Sequence, residues 1–150
     1  MSLSDKLNSL LIDLKLDPKN VEKIVRDAIA EDLANGVDVT SNSIIPADQK
    51  SIADFVARKS GVVAGLHIAA AVLEIEGITD YEILVSEGSH VEPGRTILRA
   101  RGNTRKLLLT ERTALNFLGR LSGIATLTNL WASEVKGTTA CSDSKFLKLS

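Results

Sequence analysis

At 150 residues the chain is about one ordinary domain long, and its 44% hydrophobic and 25% charged residues are the proportions of a soluble globular protein. A formal net charge of −1, with the charges dispersed, excludes an overall electrostatic pull toward nucleic acid or an anionic membrane. A lone cysteine, Cys141, excludes an internal disulfide and fits a reducing compartment; the absence of a signal-like start in MSLSDKLNSL makes the cytoplasm the expected location.

Leu7, Leu10, Leu11 and Leu14 recur at helical spacing and predict a short amphipathic helix. Asp17-Pro18 reads as a cap followed by proline at the first helical position. The helix that follows carries Val21, Ile24, Val25, Ala28 and Ile29 on one stripe, and Asn35-Gly36 ends it. From Ser51 the period changes to two: Ala53, Phe55 and Ala57 point one way, as in a strand packed on one face. Ser60-Gly61 leads into a second apolar run at 62–64. A helix with Leu66, Ala69, Ala70 and Leu73 inward comes next, closed by Gly77. Strands are predicted at 81–85 and 96–100, joined by a sharply turning segment at 87–94 that holds Gly88, Pro93 and Gly94. The last helix starts with Thr104 as N-cap. Its apolar positions, from Leu107 to Leu127, cover more than one stripe, as in a helix with two packing partners, and Gly119 and Gly123 either admit a close backbone or mark a break. Helices first, then strands interrupted by a helix, give an α+β fold with short antiparallel strands.

The segment at 105–128, RKLLLTERTALNFLGRLSGIATLT, resembles the quinolinate phosphoribosyltransferase family, also called nicotinate-nucleotide pyrophosphorylase. The resemblance continues upstream in Glu31-Asp32-Leu33, in Asp38-Val39-Thr40-Ser41, in Gly61-Val62-Val63-Ala64-Gly65 and in the Gly88, Val91, Gly94 spacing, covering about 28–140. It implies an N-terminal open α/β sandwich domain over 1–103, then a long helix at 104–140 that begins an α/β barrel, then a divergent tail at 141–150. It also implies transfer of phosphoribosyl from phosphoribosyl pyrophosphate to quinolinate with decarboxylation, giving nicotinate mononucleotide in NAD biosynthesis. The resemblance further implies a requirement for Mg²⁺, with its ligands expected elsewhere than in this chain, and active sites formed between the subunits of a homodimer or higher oligomer.

Arg105 matches the family's substrate-binding arginine, donated across that interface to a quinolinate carboxylate, with Lys106 adding charge beside it. The chemistry of the residue agrees: a guanidinium grips a carboxylate through two parallel charge-assisted hydrogen bonds, and a helix start favours an anion. No other catalytic or metal-binding residue is expected in the chain. Glu111 and Arg112 match family positions but read as a structural or interface pair. His67 and His90 have no second ligand at metal spacing, and Asp38 and Thr40 read as turn and cap residues.

Similarity stops at about Cys141, where the family continues with a D-[ST]-R-K-T strand; Asp143-Ser144-Lys145 does not replace it, and no role passes to Lys145. The expectation is a truncated chain, inactive alone and prone to associate through unpartnered apolar surface at Leu118, Leu121, Ile124, Leu127, Leu130 and Trp131. Three other readings stay open: a pyrophosphorylase-like paralogue with another substrate, a non-catalytic dimerising or binding remnant, and a lipoyl-type carrier modified at Lys59.

Overall fold

The computed structural model describes residues 2–34 and 45–136. The helix stop at Asn35-Gly36, the motif at 38–41 with Asp38 and Thr40, and the tail with Cys141 and Lys145 lie outside the described residues. Chain order is α1 (Asp5–Asp13), α2 (Pro18–Ala34), β1 (Lys50–Val56), β2 (Gly61–Val62), α3 (Leu66–Ile75), β3 (Asp80–Ile83), β4 (His90–Val91), β5 (Thr96–Asn103) and α4 (Thr104–Val135). This is the α+β arrangement expected.

Helix α1 starts at an N-cap, Ser4, whose hydroxyl accepts from the Leu7 N–H at 3.2 Å. Its buried leucines are Leu7 and Leu11; Leu14 falls at the C-cap and stays 41% exposed. Asp17 caps α2 as the sequence suggests, with Oδ1 accepting from the Lys19 N–H at 3.2 Å and Pro18 in first place. The buried stripe of α2 is narrower than predicted. Val21, Val25 and Ile29, four residues apart, face the core, whereas Ile24 turns outward.

Helix α3 lies at the centre. It touches α1, α2 and α4, so burial extends from the predicted Leu66, Ala69, Ala70 and Leu73 all the way round to Ala71, Val72, Glu74 and Ile75. A helix enclosed in this way has no wet face, and the run LHIAAAVLEI is correspondingly almost all apolar. It ends in two capping hydrogen bonds, Gly77 N–H to the Glu74 carbonyl and Ile78 N–H to the Leu73 carbonyl, both 2.9 Å.

β5 is the middle strand of an antiparallel sheet ordered β1-β5-β3, with Phe55 opposite Leu98 and Ile83 opposite the same residue on the other side. Phe55 is buried, and Ala53 and Ala57 pack against the core as the alternation requires. The segment at 87–94 does more than turn. It leaves this sheet and contributes β4, which pairs with β2 in a separate two-stranded ribbon, Gly61 opposite Val91.

Helix α4 runs unbroken for 32 residues. Its N-cap is Asn103 rather than Thr104: the Asn103 side chain accepts from the Lys106 N–H, while Thr104 is already helical. Gly119 and Gly123 neither break the helix nor admit a close neighbour, because a Cβ at either would meet nothing within 4 Å. Leu107, Ala114 and Leu118 join the same core cluster as α1, α2 and α3.

Candidate functional site

The start of α4 is stitched to the segment that precedes β1. Asn103 Nδ2 donates to the Ala47 carbonyl at 2.6 Å, the Thr104 N–H donates to the Gln49 carbonyl at 2.8 Å, and Arg105 Nε donates to the Ile45 carbonyl at 2.8 Å. The Arg105 Nη2 reaches the same carbonyl. The Thr104 hydroxyl also donates to Gln49 O at 3.1 Å and shares a 2.7 Å hydrogen bond with the Ser51 hydroxyl. Three consecutive residues thus hold one short segment, which fixes the direction in which Arg105 leaves the helix. Arg105 is half-buried, and Lys106 beside it is exposed. The two basic residues do stand in the first turn, but Asn103 and Gln49 already take two of its N–H groups.

Farther along, α4 is locked to the β2 segment by two hydroxyls one turn apart. Ser122 Oγ accepts from the Ala64 N–H at 3.0 Å and lies 3.2 Å from its carbonyl; Thr126 Oγ1 accepts from the Val62 N–H at 2.9 Å and lies 3.4 Å from that carbonyl. The helix therefore acts as a neighbouring strand would for Val62 and Ala64. Glycines make the approach feasible, since a Cβ at Gly61 would sit 2.6 Å from Thr126 Oγ1 and one at Gly65 would sit 2.8 Å from Leu121 Cδ1. The strings Gly61–Gly65 and Ser122 to Thr126, far apart in sequence, are two halves of one joint. Likewise the Thr113 hydroxyl donates to the Asp32 carboxylate, joining the upstream Glu31-Asp32-Leu33 motif to α4. Replacing Ser122 with alanine and Thr126 with valine together leaves two backbone N–H groups without partners. The expected loss is about 1 kcal/mol per site in a urea titration.

Each histidine faces a carboxylate. His67 Nδ1 lies 3.1 Å from Glu87 Oε2, and that carboxylate is the missing N-cap of α3: it accepts from the Gly65 and Leu66 N–H groups. His90 Nε2 lies 3.2 Å from Oε1 of the exposed Glu92. Among the described residues no group of three His, Cys, Asp or Glu side chains converges on a point. Glu111 and Arg112 are exposed; Glu111 lines a cleft of about 780 Å³ between β1 and the first half of α4, together with Asp54, Arg58 and Leu108. Asp54 in that cleft forms a two-point ion pair with Arg99 at 2.6 and 2.7 Å, and the hydrogen bond from Arg99 keeps its carboxyl below the usual range. A second cleft of about 750 Å³, lined by Phe55, Val63, Val91, Leu127 and Leu130, lies along the second half of α4. Lys59 stands on its rim. It links two strands of different sheets, so it is not at the tip of a β-hairpin, and the carrier reading loses its structural basis.

Sequence reading missed Ser122, Thr126, Glu87 and Glu74. The available signal was a pair of hydroxyl residues at helical spacing inside an apolar stripe, matched by glycines bracketing an upstream strand. Residues 38–122 match the family model for the quinolinate phosphoribosyl transferase N-terminal domain. The chain is 39% identical over 119 residues to the nicotinate-nucleotide pyrophosphorylase [carboxylating] of Mycobacterium leprae, covering 77% of this chain and 42% of that protein. It is 36% identical over 110 residues to a mitochondrial quinolinate phosphoribosyltransferase [decarboxylating] of Nicotiana tabacum, covering 73% and 31%. Among solved structures, the nicotinate-nucleotide pyrophosphorylase of Francisella tularensis superimposes with a TM-score of 0.71 at 31% identity, over 78% of this chain and 42% of that one. The chain spans about two fifths, or less, of the length of these relatives. With the matched region covering both the sheet and the first half of α4, the chain belongs to the quinolinate phosphoribosyltransferase N-terminal domain family.

Proposed function

We propose that this chain supplies the N-terminal, substrate-contacting part of an enzyme that transfers phosphoribosyl from phosphoribosyl pyrophosphate to quinolinate. The products are nicotinate mononucleotide, carbon dioxide and pyrophosphate. The observation that carries this reading is Arg105, set in the first turn of α4 and aimed by the Ile45 carbonyl. Its role is recognition: the guanidinium binds a quinolinate carboxylate through paired N–H donors, and Lys106 adds a second positive charge at the same helix start. The assembly is a homodimer or larger, located in the cytoplasm, in which Arg105 reaches the active site of a second subunit. No helix among the described residues is long and apolar enough to cross a membrane.

The described residues do not fit a Mg²⁺ site, and no step is assigned to that ion through them. Quinolinate-dependent formation of nicotinate mononucleotide tests the reading. It requires phosphoribosyl pyrophosphate and a protein in which residues 1–136 stand in place of the matching part of the Mycobacterium leprae relative. Product formation supports it; a folded protein that turns over another carboxylate but not quinolinate points to a paralogous activity.

The exposed second half of α4 favours one further reading, an assembly module without chemistry. It predicts association of the chain without any turnover by the joined protein.

A further inference from the structure

The tip of Arg105 is held by the Ile45 carbonyl, and a carbonyl can aim a side chain only if it is itself fixed. The stretch that follows Ile45 is exposed from Pro46 to Lys50, so hydrogen bonds rather than packing set its place. Its downstream end is secured twice over. The Gln49 carbonyl accepts from the N–H and the hydroxyl of Thr104, and pairing with β5 begins at Lys50, opposite Asn103. At the upstream end, among the described residues, two side chains hydrogen-bond to it: Arg105 on the Ile45 carbonyl and Asn103 on the Ala47 carbonyl, the latter at 2.6 Å. Ala47 lies within the turn that the Gln49 N–H closes on the Pro46 carbonyl at 3.2 Å. Without the Asn103 tie, the Ile45 carbonyl would follow the guanidinium instead of directing it.

We propose that Asn103 is the positioning residue for Arg105. The proposal rests on the reading of Arg105 as the quinolinate contact, and adds what readies that contact before substrate arrives. The Asn103 amide works at both ends. Its Oδ1 accepts from the Lys106 N–H at 3.3 Å, which caps α4 and orients the first turn on which Arg105 stands. Its Nδ2 donates to Ala47 and so places the carbonyl that Arg105 holds. The amide oxygen only accepts and the amide nitrogen only donates, so the two partners commit the group to one orientation. One planar side chain thereby sets the root of Arg105 and the anchor of its tip. Both bonds are exposed and contribute little to stability; their effect is on the freedom of the guanidinium. A long basic side chain already held in its binding rotamer loses less affinity to ordering.

Asn103→Ser separates the two functions of the amide, because serine is an equally good N-cap but too short to reach Ala47 while capping. The full 150-residue chain carrying it is expected to melt within about 3 °C of the parent. The Arg105 Nε–H, followed by proton–nitrogen NMR, is expected to exchange with water at least about tenfold faster. In the joined protein the same substitution raises KM for quinolinate roughly fivefold and leaves kcat and KM for phosphoribosyl pyrophosphate within about twofold. In an Arg105→Ala background it adds less than about twofold, since a residue that acts through Arg105 then has nothing to act on. Unchanged exchange of the Arg105 Nε–H overturns the proposal. So does a KM for quinolinate that rises equally in both backgrounds, or a melting midpoint lowered by more than about 8 °C, which would mark the amide as a structural tie. If Arg105→Ala itself leaves KM for quinolinate unaltered, the substrate reading falls and the proposal with it. A large effect of Arg105→Ala beside none of Asn103→Ser overturns the positioning role alone.

Discussion

Replacing Glu74 with alanine is expected to destabilise the fold by about 3 kcal/mol, lowering the melting midpoint of a chain this size by about 10 °C. Glu74 is buried at 5% exposure, and three donors converge on its carboxylate. The Ser4 N–H donates to Oε2 at 2.7 Å, the Ser4 hydroxyl to Oε1 at 2.8 Å, and the Tyr81 hydroxyl to Oε1 at 2.7 Å. One side chain thus ties the N-cap of α1 and strand β3 to the central helix. Alanine leaves all three donors unsatisfied in a site with little water. Glutamine keeps the Oε1 acceptor but turns an amide donor toward the Ser4 N–H, so it is expected to cost about half as much. A thermal melt of both variants checks the order; equal midpoints for wild type and Glu74→Ala would show that the carboxylate is not a structural tie.

The same cluster gives an alkaline signature. Burial, followed by the hydrogen bond to Glu74, pushes the Tyr81 hydroxyl well above its ordinary 10.0. The fold favours neutral tyrosine, and the unfolded chain loses that proton first. The contribution is therefore complete below about pH 10 and falls as pH rises above it. Because the chain has a single tyrosine, tyrosinate absorbance reports this residue alone. The expected outcome is no tyrosinate in the folded chain at pH 10, against about half-ionisation in urea.

Arg105→Ala is the second large effect. It removes the fork proposed to grip a carboxylate and, with it, the anchor on the Ile45 carbonyl. In the joined protein described above, kcat/KM for quinolinate is expected to fall roughly a hundredfold, the scale of losing a two-point charged contact to a partly desolvated anion. Arg105→Lys retains the charge without the planar pair of donors and is expected to lose about tenfold. The isolated chain loses only about 1 kcal/mol of stability with Arg105→Ala, because one hydrogen-bonded carbonyl is released. Separate measurement of turnover and melting distinguishes the two roles.

The elements legible in the sequence were those whose pattern is set locally. Asp17-Pro18 and the stripe of Val21, Val25 and Ile29 specify α2 without help from the rest of the chain, and the alternation around Phe55 does the same for β1. What eluded the sequence depends on distant partners. Asn103 and Thr104 are equally good caps by composition, and Gln49 and Ser51 decide between them by engaging the threonine hydroxyl. The segment at 87–94 has every mark of a plain turn, yet the free edge of β2 recruits part of it as β4. Leu118 and Leu121 were expected to lack partners; Leu118 is in the core, and Leu121 lies over Gly65 because the Ser122 and Thr126 hydroxyls draw α4 onto β2. At the candidate site, Arg105 was legible through family resemblance and helix position. The carbonyl that aims it was not, because Ile45 lies 60 residues upstream.

Arg105 is proposed to contribute its charge to quinolinate and not to the second substrate. The most direct measurement is the pair of KM values, for quinolinate and for phosphoribosyl pyrophosphate, in the joined protein with and without Arg105→Ala. KM for quinolinate is expected to rise at least tenfold while KM for phosphoribosyl pyrophosphate changes by less than about twofold, the pattern of one lost carboxylate contact. Equal increases for both substrates, or no change in either, would contradict it.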